Sequence, residues 1–256
     1  MPEGDTVWRA ARRLREALEG RELTRTDFRV PAHATLDLSG QTVDEVLSRG
    51  KHLLIRVGEQ SIHTHLKMEG VWHVYAHDES WRRPAHQARI VLETTDRQAV
   101  GFALGITEVV PRHDEGLDYL GPDLLGPDWN LDEAVRRVTS DPQRPVFLAL
   151  HDQSSVAGFG NEYVNEICFL SGLLPTRPVG EIDAAKVIDR GRRTILVNRD
   201  RPGRVFTSST RPGQTHWVYS RDRKPCRRCG TAIKRGELGT VATQMRNTFW
   251  CPHCQT

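Results

Sequence analysis

Four cysteines near the C-terminus carry the plainest chemistry in this sequence: Cys226-Arg-Arg-Cys229 and Cys251-Pro-His-Cys254, with 21 residues between the pairs. Each Cys-x-x-Cys sets two thiols on one tight turn. Two such turns facing each other make a four-sulfur tetrahedron with no open position, the donor set of a structural Zn2+. One ion per chain is therefore expected on Cys226, Cys229, Cys251 and Cys254, propping up a β-hairpin between the pairs. His253, between two of these cysteines, is expected to face solvent, and the solitary Cys168 to be a buried, inert thiol. At the other end the chain reads Met1-Pro2-Glu3-Gly4. Methionine before a small residue is normally excised, which would leave Pro2 with a secondary amine that titrates far nearer neutrality than a lysine. Such an amine is a nucleophile at working pH, and its attack on an aldehydic sugar carbon gives a cationic iminium that accepts electrons well. Glu3 is close enough to serve as general acid or base.

Weaker features stand between these two ends. Gly158-Phe159-Gly160 makes a tight turn, and Asn161 opens a helix whose first backbone N–H groups are available to an anion. Lys51 follows Arg49-Gly50 at a turn entering a strand, where a lone lysine is ordinarily surface charge. His63 and His65 share one strand face, and with no third ligand near them packing or hydrogen bonding is the expected role. Lys67 and Met68 fall in a strand-to-strand bend; a methionine there is usually core, but at an exposed tip it can wedge between nucleic-acid bases.

The elements that must position these groups change character along the chain. Val7, Ala10, Ala11, Leu14, Ala17 and Leu18 repeat at helical spacing from Thr6 to Leu18, with Asp5 or Thr6 placed to cap the start, so the positive end of a helix points at the Pro2 amine and favours its neutral form. Short runs at 42–47, 52–57, 61–66, 71–75, 88–93 and 99–104 predict a β-sandwich or barrel. Two Gly-Pro steps at 121–127 mark a linker, assigned to 121–130. Helical patterns follow at 131–139, 145–151, 162–171 and 183–198, and an Arg/Pro/Gly/Ser/Thr-rich loop covers 199–224. The expected fold is α+β, in four parts: a sandwich domain at 1–120, the linker, a helical domain at 131–220 and a cysteine hairpin at 221–256. From Gly191 onward 14 Lys+Arg face only Asp200, Asp222 and Glu237, a net +11, so the remainder of this +3 chain carries −8. Such a basic block suits a polyanion partner, whose phosphates release counterions on contact. There is no run of eighteen apolar residues and no secretion signal, so a cytoplasmic protein without membrane contact is expected.

Taken together the motifs are identified as those of the Fpg/Nei family of DNA glycosylases, and they resemble most its endonuclease VIII-like branch, of the second actinobacterial type. Pro-Glu-Gly at the mature N-terminus, RGKHLL at 49–54, HLKMEGVW at 65–72, LGPDLL at 120–125, DQ..VAGFGNEY..EI at 152–167 and CRRCG … RNTFWCPHCQ at 226–255 fall in the family's order over essentially the whole length. The resemblance implies a helix–two-turns–helix motif around 145–171 and a zinc-supported hairpin that presses on DNA. It implies Pro2 as nucleophile, Glu3 as acid/base, Lys51 as a catalytic and phosphate-contacting lysine, Asn161 as a phosphate clamp, Arg246 as the hairpin arginine at the lesion, and Lys67 and Met68 as groups at the strand-separating loop. It implies a monomer that meets damaged DNA in the bacterial nucleoid, excising oxidised bases and nicking the strand, or failing that a lesion-binding or lyase-only protein. The sequence departs from the family where Asp5 and Thr6 replace the usual Pro-Glu, so no role is carried over to a second carboxylate. Residues 100–108 offer no equivalent of the Arg and Phe that formamidopyrimidine-type enzymes insert beside the methionine. Residues 199–220 do not resemble a purine-holding loop, which points to oxidised pyrimidines.

Overall fold

A computed structural model describes residues 2–256; the expected removal of Met1 concerns a residue outside them. The chain divides into two compact units, the first ending at Tyr119 and the second running Leu120–Thr256.

The first unit opens on helix α1 (Gly4–Leu18), which buries Val7, Ala11, Leu14, Ala17 and Leu18 along one stripe, the four-then-three spacing of an amphipathic helix. The expected cap was Asp5 or Thr6; the structure instead puts Glu3 in the cap position, its backbone oxygen accepting Thr6 N (2.9 Å) and Val7 N (3.1 Å). The helix starts two residues early because Gly4 and Asp5 are themselves buried in its first turn. Eight strands follow: β1 (Arg25–Phe28), β2 (Val43–Arg49), β3 (His52–Val57), β4 (Gln60–His65), β5 (Val71–Tyr75), β6 (Ala88–Glu93), β7 (Gln98–Phe102) and β8 (Ile106–Pro111). They form two antiparallel four-stranded sheets, β1-β6-β7-β5 and β2-β3-β4-β8, with α1 packed against strands of both and one apolar core shared by all three. Strands β1 and β8 were not expected, and β7 stops at Phe102 rather than Leu104 because Ala103 takes a positive φ of 47°.

The second unit is led by helices α2 (Leu131–Val138), α3 (Val146–His151), α4 (Asn161–Leu170) and α5 (Ala184–Arg199) around a core of Phe147, Leu150, Phe159, Val164, Ile167 and Ile188. Asn130 and Asp183 cap α2 and α5, accepting Glu133 N (3.0 Å) and Lys186 N (3.1 Å). α3 and α4 are the helix–two-turns–helix pair, and α5 crosses so closely that a Cβ on Gly191 would lie 2.4 Å from Phe159 Cζ. Residues 200–233 hold no helix or longer strand, and an antiparallel ribbon of β9 (Lys234–Leu238) and β10 (Arg246–Trp250) ends the chain. The last residues are tied back to the helices: Gln255 Nε2 donates to Leu173 O (2.7 Å) and Thr256 N to Gly172 O (3.0 Å). Among the described residues, no helix is long and apolar enough to cross a membrane.

Candidate functional site

In the first unit the candidate nucleophile sits at the positive end of α1. Pro2 is partly exposed, whereas Glu3 is fully buried as the residue that starts the helix. Lys51 lies in the two-residue turn Gly50-Lys51 that joins β2 to β3 across the pair Arg49↔His52. Gly50 has φ 59°, which a glycine at the first central position of such a hairpin adopts without strain.

The histidines of β3 and β4 gather beside this turn. His52 Nδ1 and His63 Nε2 are 2.8 Å apart, Tyr119 Oη is 3.1 Å from His52 Nε2, and His63 Nδ1 is 3.6 Å from Glu108 Oε2. Burial, followed by His65, His63, Lys67 and Lys51, pushes His52 down to about 3. Burial, followed by Lys67 and Lys51, takes His65 to about 4. Both imidazoles are therefore neutral at physiological pH. Sequence reasoning singled out His63 and His65 and missed His52, whose partners His63 and Tyr119 lie 11 and 67 positions away.

The bend after β4 is shaped by two glycines. A Cβ on Gly70 would sit 2.4 Å from Leu66 O, and one on Gly105 would sit 2.1 Å from Lys67 Cγ. Lys67 has φ 51° and donates its backbone N–H to His65 Nδ1 at 2.9 Å. Met68 is thereby carried to the tip, 67% exposed, and is not a core methionine.

In the second unit Asn161 is the first residue of α4, 6% exposed, behind Gly158 with φ 114° and Gly160 at the cap. Gln153 braces the turn: Nε2 donates to His151 O (2.9 Å) and Phe159 O (2.8 Å), and Oε1 accepts Gly158 N (3.1 Å). Arg246 opens β10 and, with Arg144, His151, Asp152 and Gln244, lines a cavity of about 290 Å3. One residue no motif revealed joins the two. The fully buried Asn165 donates to Asn161 O (2.7 Å) and Asn247 O (3.2 Å) and accepts Phe249 N (2.6 Å), so the start of α4 and the hairpin strand are held by one amide. Glu166, also fully buried, accepts Trp217 N, Val218 N and Tyr219 N at 2.8 to 2.9 Å and anchors the middle of the long irregular segment. Cys168 is buried and its thiol is pushed up to about 12 by burial, which leaves it inert.

The four remaining cysteines come together as their spacing requires, with all four Sγ atoms within 4.8 Å of one another. Cys226 to Cys254 is 4.0 Å and Cys229 to Cys251 is 3.5 Å, too long for a disulfide at about 2.05 Å. A tetrahedron with metal–sulfur distances of about 2.3 Å has sulfur–sulfur edges of about 3.8 Å, so the donor set fits a metal ion. His253, between two of them, is exposed.

Comparison with known proteins agrees with this architecture. Residues 1–103 match the model of the formamidopyrimidine-DNA glycosylase N-terminal domain. The DNA-(apurinic or apyrimidinic site) lyase Nei2 of Mycolicibacterium smegmatis is 53% identical over 259 residues, covering 100% of this chain and 99% of that protein. Endonuclease 8 2 of Mycobacterium tuberculosis is 48% identical over 265 residues, covering 100% of both. The chain belongs to the Fpg/Nei family. Among solved structures, MutM in complex with DNA containing carbocyclic 8-oxo-G superposes with a TM-score of 0.80 at 19% identity over 100% of both chains. Lactococcus lactis Fpg in complex with DNA containing an abasic site gives 0.79 at 20% identity over 99% of both. These likenesses confirm the Fpg/Nei fold: an N-terminal sandwich and a C-terminal helical unit ending in a four-cysteine hairpin.

Proposed function

We propose that this chain is a bifunctional DNA glycosylase and abasic-site lyase of base excision repair, acting on oxidised bases with pyrimidines preferred. The observation that supports it most is the buried Glu3 carboxyl beside Pro2 at the positive end of α1, in a chain of this family. A stacked nucleotide offers neither its C1′ nor its base edge, so the damaged nucleotide must first be flipped out. The Pro2 nitrogen then attacks C1′ while Glu3 protonates the sugar ring oxygen. The C1′–N bond breaks and the base leaves with its electron pair, taking up the proton that the Pro2 nitrogen loses; the C1′–O4′ bond then breaks onto the ring oxygen that Glu3 protonates, and the Pro2 lone pair closes the C1′=N+ iminium. The resulting iminium draws electrons from C2′, whose proton is lost as the C3′–O bond breaks and the phosphate departs. Water hydrolyses the conjugated iminium and returns free Pro2.

The remaining roles follow the chemistry of each group. Lys51, Asn161 and Arg246 hold backbone phosphates about the lesion, and Lys67 and Met68 occupy the space the flipped nucleotide leaves. Cys226, Cys229, Cys251 and Cys254 hold one structural Zn2+, which cross-links the base of the ribbon that carries Arg246. Within the second half, 121–130 acts as linker, 131–220 as the helical part and 221–256 as the metal-braced hairpin.

Borohydride reduction in the presence of an abasic-site duplex tests this directly. The wild-type protein, with mass spectrometry showing Pro2 as its first residue, should form a covalent adduct that Pro2→Gly abolishes. Tight binding without an adduct would instead leave a lesion-binding protein. A narrower reading, cleavage of pre-formed abasic sites alone, is favoured by the name of the 53% identical relative. Release of a free oxidised base from an intact lesion duplex would reject that narrower reading.

A further inference from the structure

Open sheet edges are binding templates unless something covers them, and the first unit treats its edges differently. At the edge of one sheet, β2 is closed by α1 and the chain that follows it. Gly20 N donates to Val43 O (2.8 Å), Val43 N to Arg21 O (2.9 Å), Val46 N to Glu19 Oε2 (2.8 Å), and Arg15 Nε and Nη2 both donate to Val46 O (3.0 and 2.7 Å). At the far edge of that sheet, β8 gives Val109 N to His33 Nε2 at 3.2 Å. β5 is the edge of the other sheet, and among the described residues no hydrogen bond engages its outer backbone. Between β5 and α1 lies a cavity of about 400 Å3, the space of about a dozen waters at ~30 Å3 each.

The walls of that cavity are built for an anionic chain. Trp72, Val74 and Ala17 contribute apolar surface, while Arg13 from α1, Arg82 from the loop after β5 and Arg97 from the β6–β7 turn contribute guanidinium groups. One carboxylate, Glu16, also lines it and is paired outward with Arg12 at 3.3 Å. Arg82 and Arg97 keep exposed heads, their acidic neighbours being Glu79 at 2.8 Å and Asp96 at 3.8 Å. His73 adds an imidazole: Tyr75 Oη accepts Arg82 N (3.1 Å) and lies 2.8 Å from His73 Nδ1, to which it is hydrogen-bonded. Arg83, Arg82 and Arg13 reinforce the burial that keeps this imidazole uncharged. The cluster stands on a unit that is acidic as a whole, with 16 Lys+Arg against 19 Asp+Glu through Tyr119.

We propose that this groove is a docking site for an extended acidic segment of a partner protein, which adds as a strand to β5 and sets its carboxylates against Arg13, Arg82 and Arg97. Main-chain bonds to the edge supply affinity, and the arginines select acidic side chains. An apolar wall beside a bare strand edge serves a peptide, whereas a nucleic acid would use only the charges. This site is separate from Pro2, Glu3 and Lys51, so it recruits rather than reacts.

A fluorescein-labelled octapeptide alternating aspartate and valine, titrated by anisotropy against the full-length protein, provides the test. Saturable binding that weakens with added salt is expected, and Arg13→Ala with Arg97→Ala should lower affinity by at least about tenfold. The same double variant should trap and nick an abasic duplex as wild type does, which separates this site from the proposed catalytic one. An equally charged peptide with proline in place of alternate valines should not bind, because it cannot donate to the edge. The proposal is overturned by absence of saturable binding, by equal affinity in the arginine variant or for the proline peptide, or by displacement with an equimolar thymidine octanucleotide.

Discussion

At the scale of single residues, Glu3 and Arg246 make separable contributions. In the proposed mechanism Glu3 protonates the sugar only during base loss, so Glu3→Gln should abolish release of an oxidised base while leaving much of the nicking of a pre-formed abasic duplex. The two rates measured on matched substrates check this, and equal loss of both would contradict the assignment. Arg246 is proposed as a phosphate contact, which carries no base information. Arg246→Ala should therefore weaken binding alike on all sequences and reduce the magnitude of the slope of log K against log salt by about 0.9, one contact's worth. An unchanged slope would remove Arg246 from the phosphate contacts. His52 is a third case. Its folded value of about 3 lies below the ordinary 6.5, so the unfolded chain binds the extra proton first. The stability this contributes is complete above pH 6.5 and drains away as pH falls towards 3. His52→Gln, which keeps hydrogen-bonding capacity without a titrating ring, should show a smaller drop in Tm than wild type between pH 7 and pH 5. Glu166, raised by burial, acts in the opposite sense in both proteins and cancels from the difference.

At the scale of elements, the hairpin is held at two points. Cys226, Cys229, Cys251 and Cys254 brace its base, and Asn165 ties β10 to α4. Removing the amide leaves the buried Phe249 N without this partner, at a cost of about 1–3 kcal/mol, and frees the half-buried Asn247 O to meet water. Asn165→Ala should thus lower Tm and weaken abasic-duplex binding. In a double-mutant cycle with Arg246→Ala the affinity losses should be less than additive, since Arg246 depends on the register Asn165 sets. Strict additivity would show that Asn165 only stabilises. Chelation should release the ribbon and reduce DNA affinity before it unfolds the first unit, as followed by near-UV circular dichroism and a binding titration.

These same elements show what was legible in the sequence. The cysteine spacing located the metal-type cluster, and the helical patterns found α1 to α5 to within a few residues, because both signals are local. β1, four residues of mixed exposure, and β8, half-exposed throughout, lacked the alternation that marks a strand. Asn165, His52 and Gln153 were invisible as functional residues. The bond that gives Asn165 its part reaches a residue 82 positions away, and no short window holds both ends.

At the scale of the whole molecule, charge is distributed by unit. The second unit carries 20 Lys+Arg against 14 Asp+Glu while the first is net acidic, which is how a chain of only +3 can still present a nucleic-acid face. The ties between α4 and the final residues also bear on how the protein is made. Asn165 leaves the ribosome 82 residues before Asn247, and Leu173 leaves 82 before Gln255. At about 5–20 residues per second, α4 waits on the order of 4–16 s for the partners that finish its inner face. Messages that end prematurely, even a dozen codons short, would therefore yield not a glycosylase lacking its finger but a helical half with unsealed polar and apolar surface. Cellular proteases would clear such a product before it could occupy a lesion unproductively.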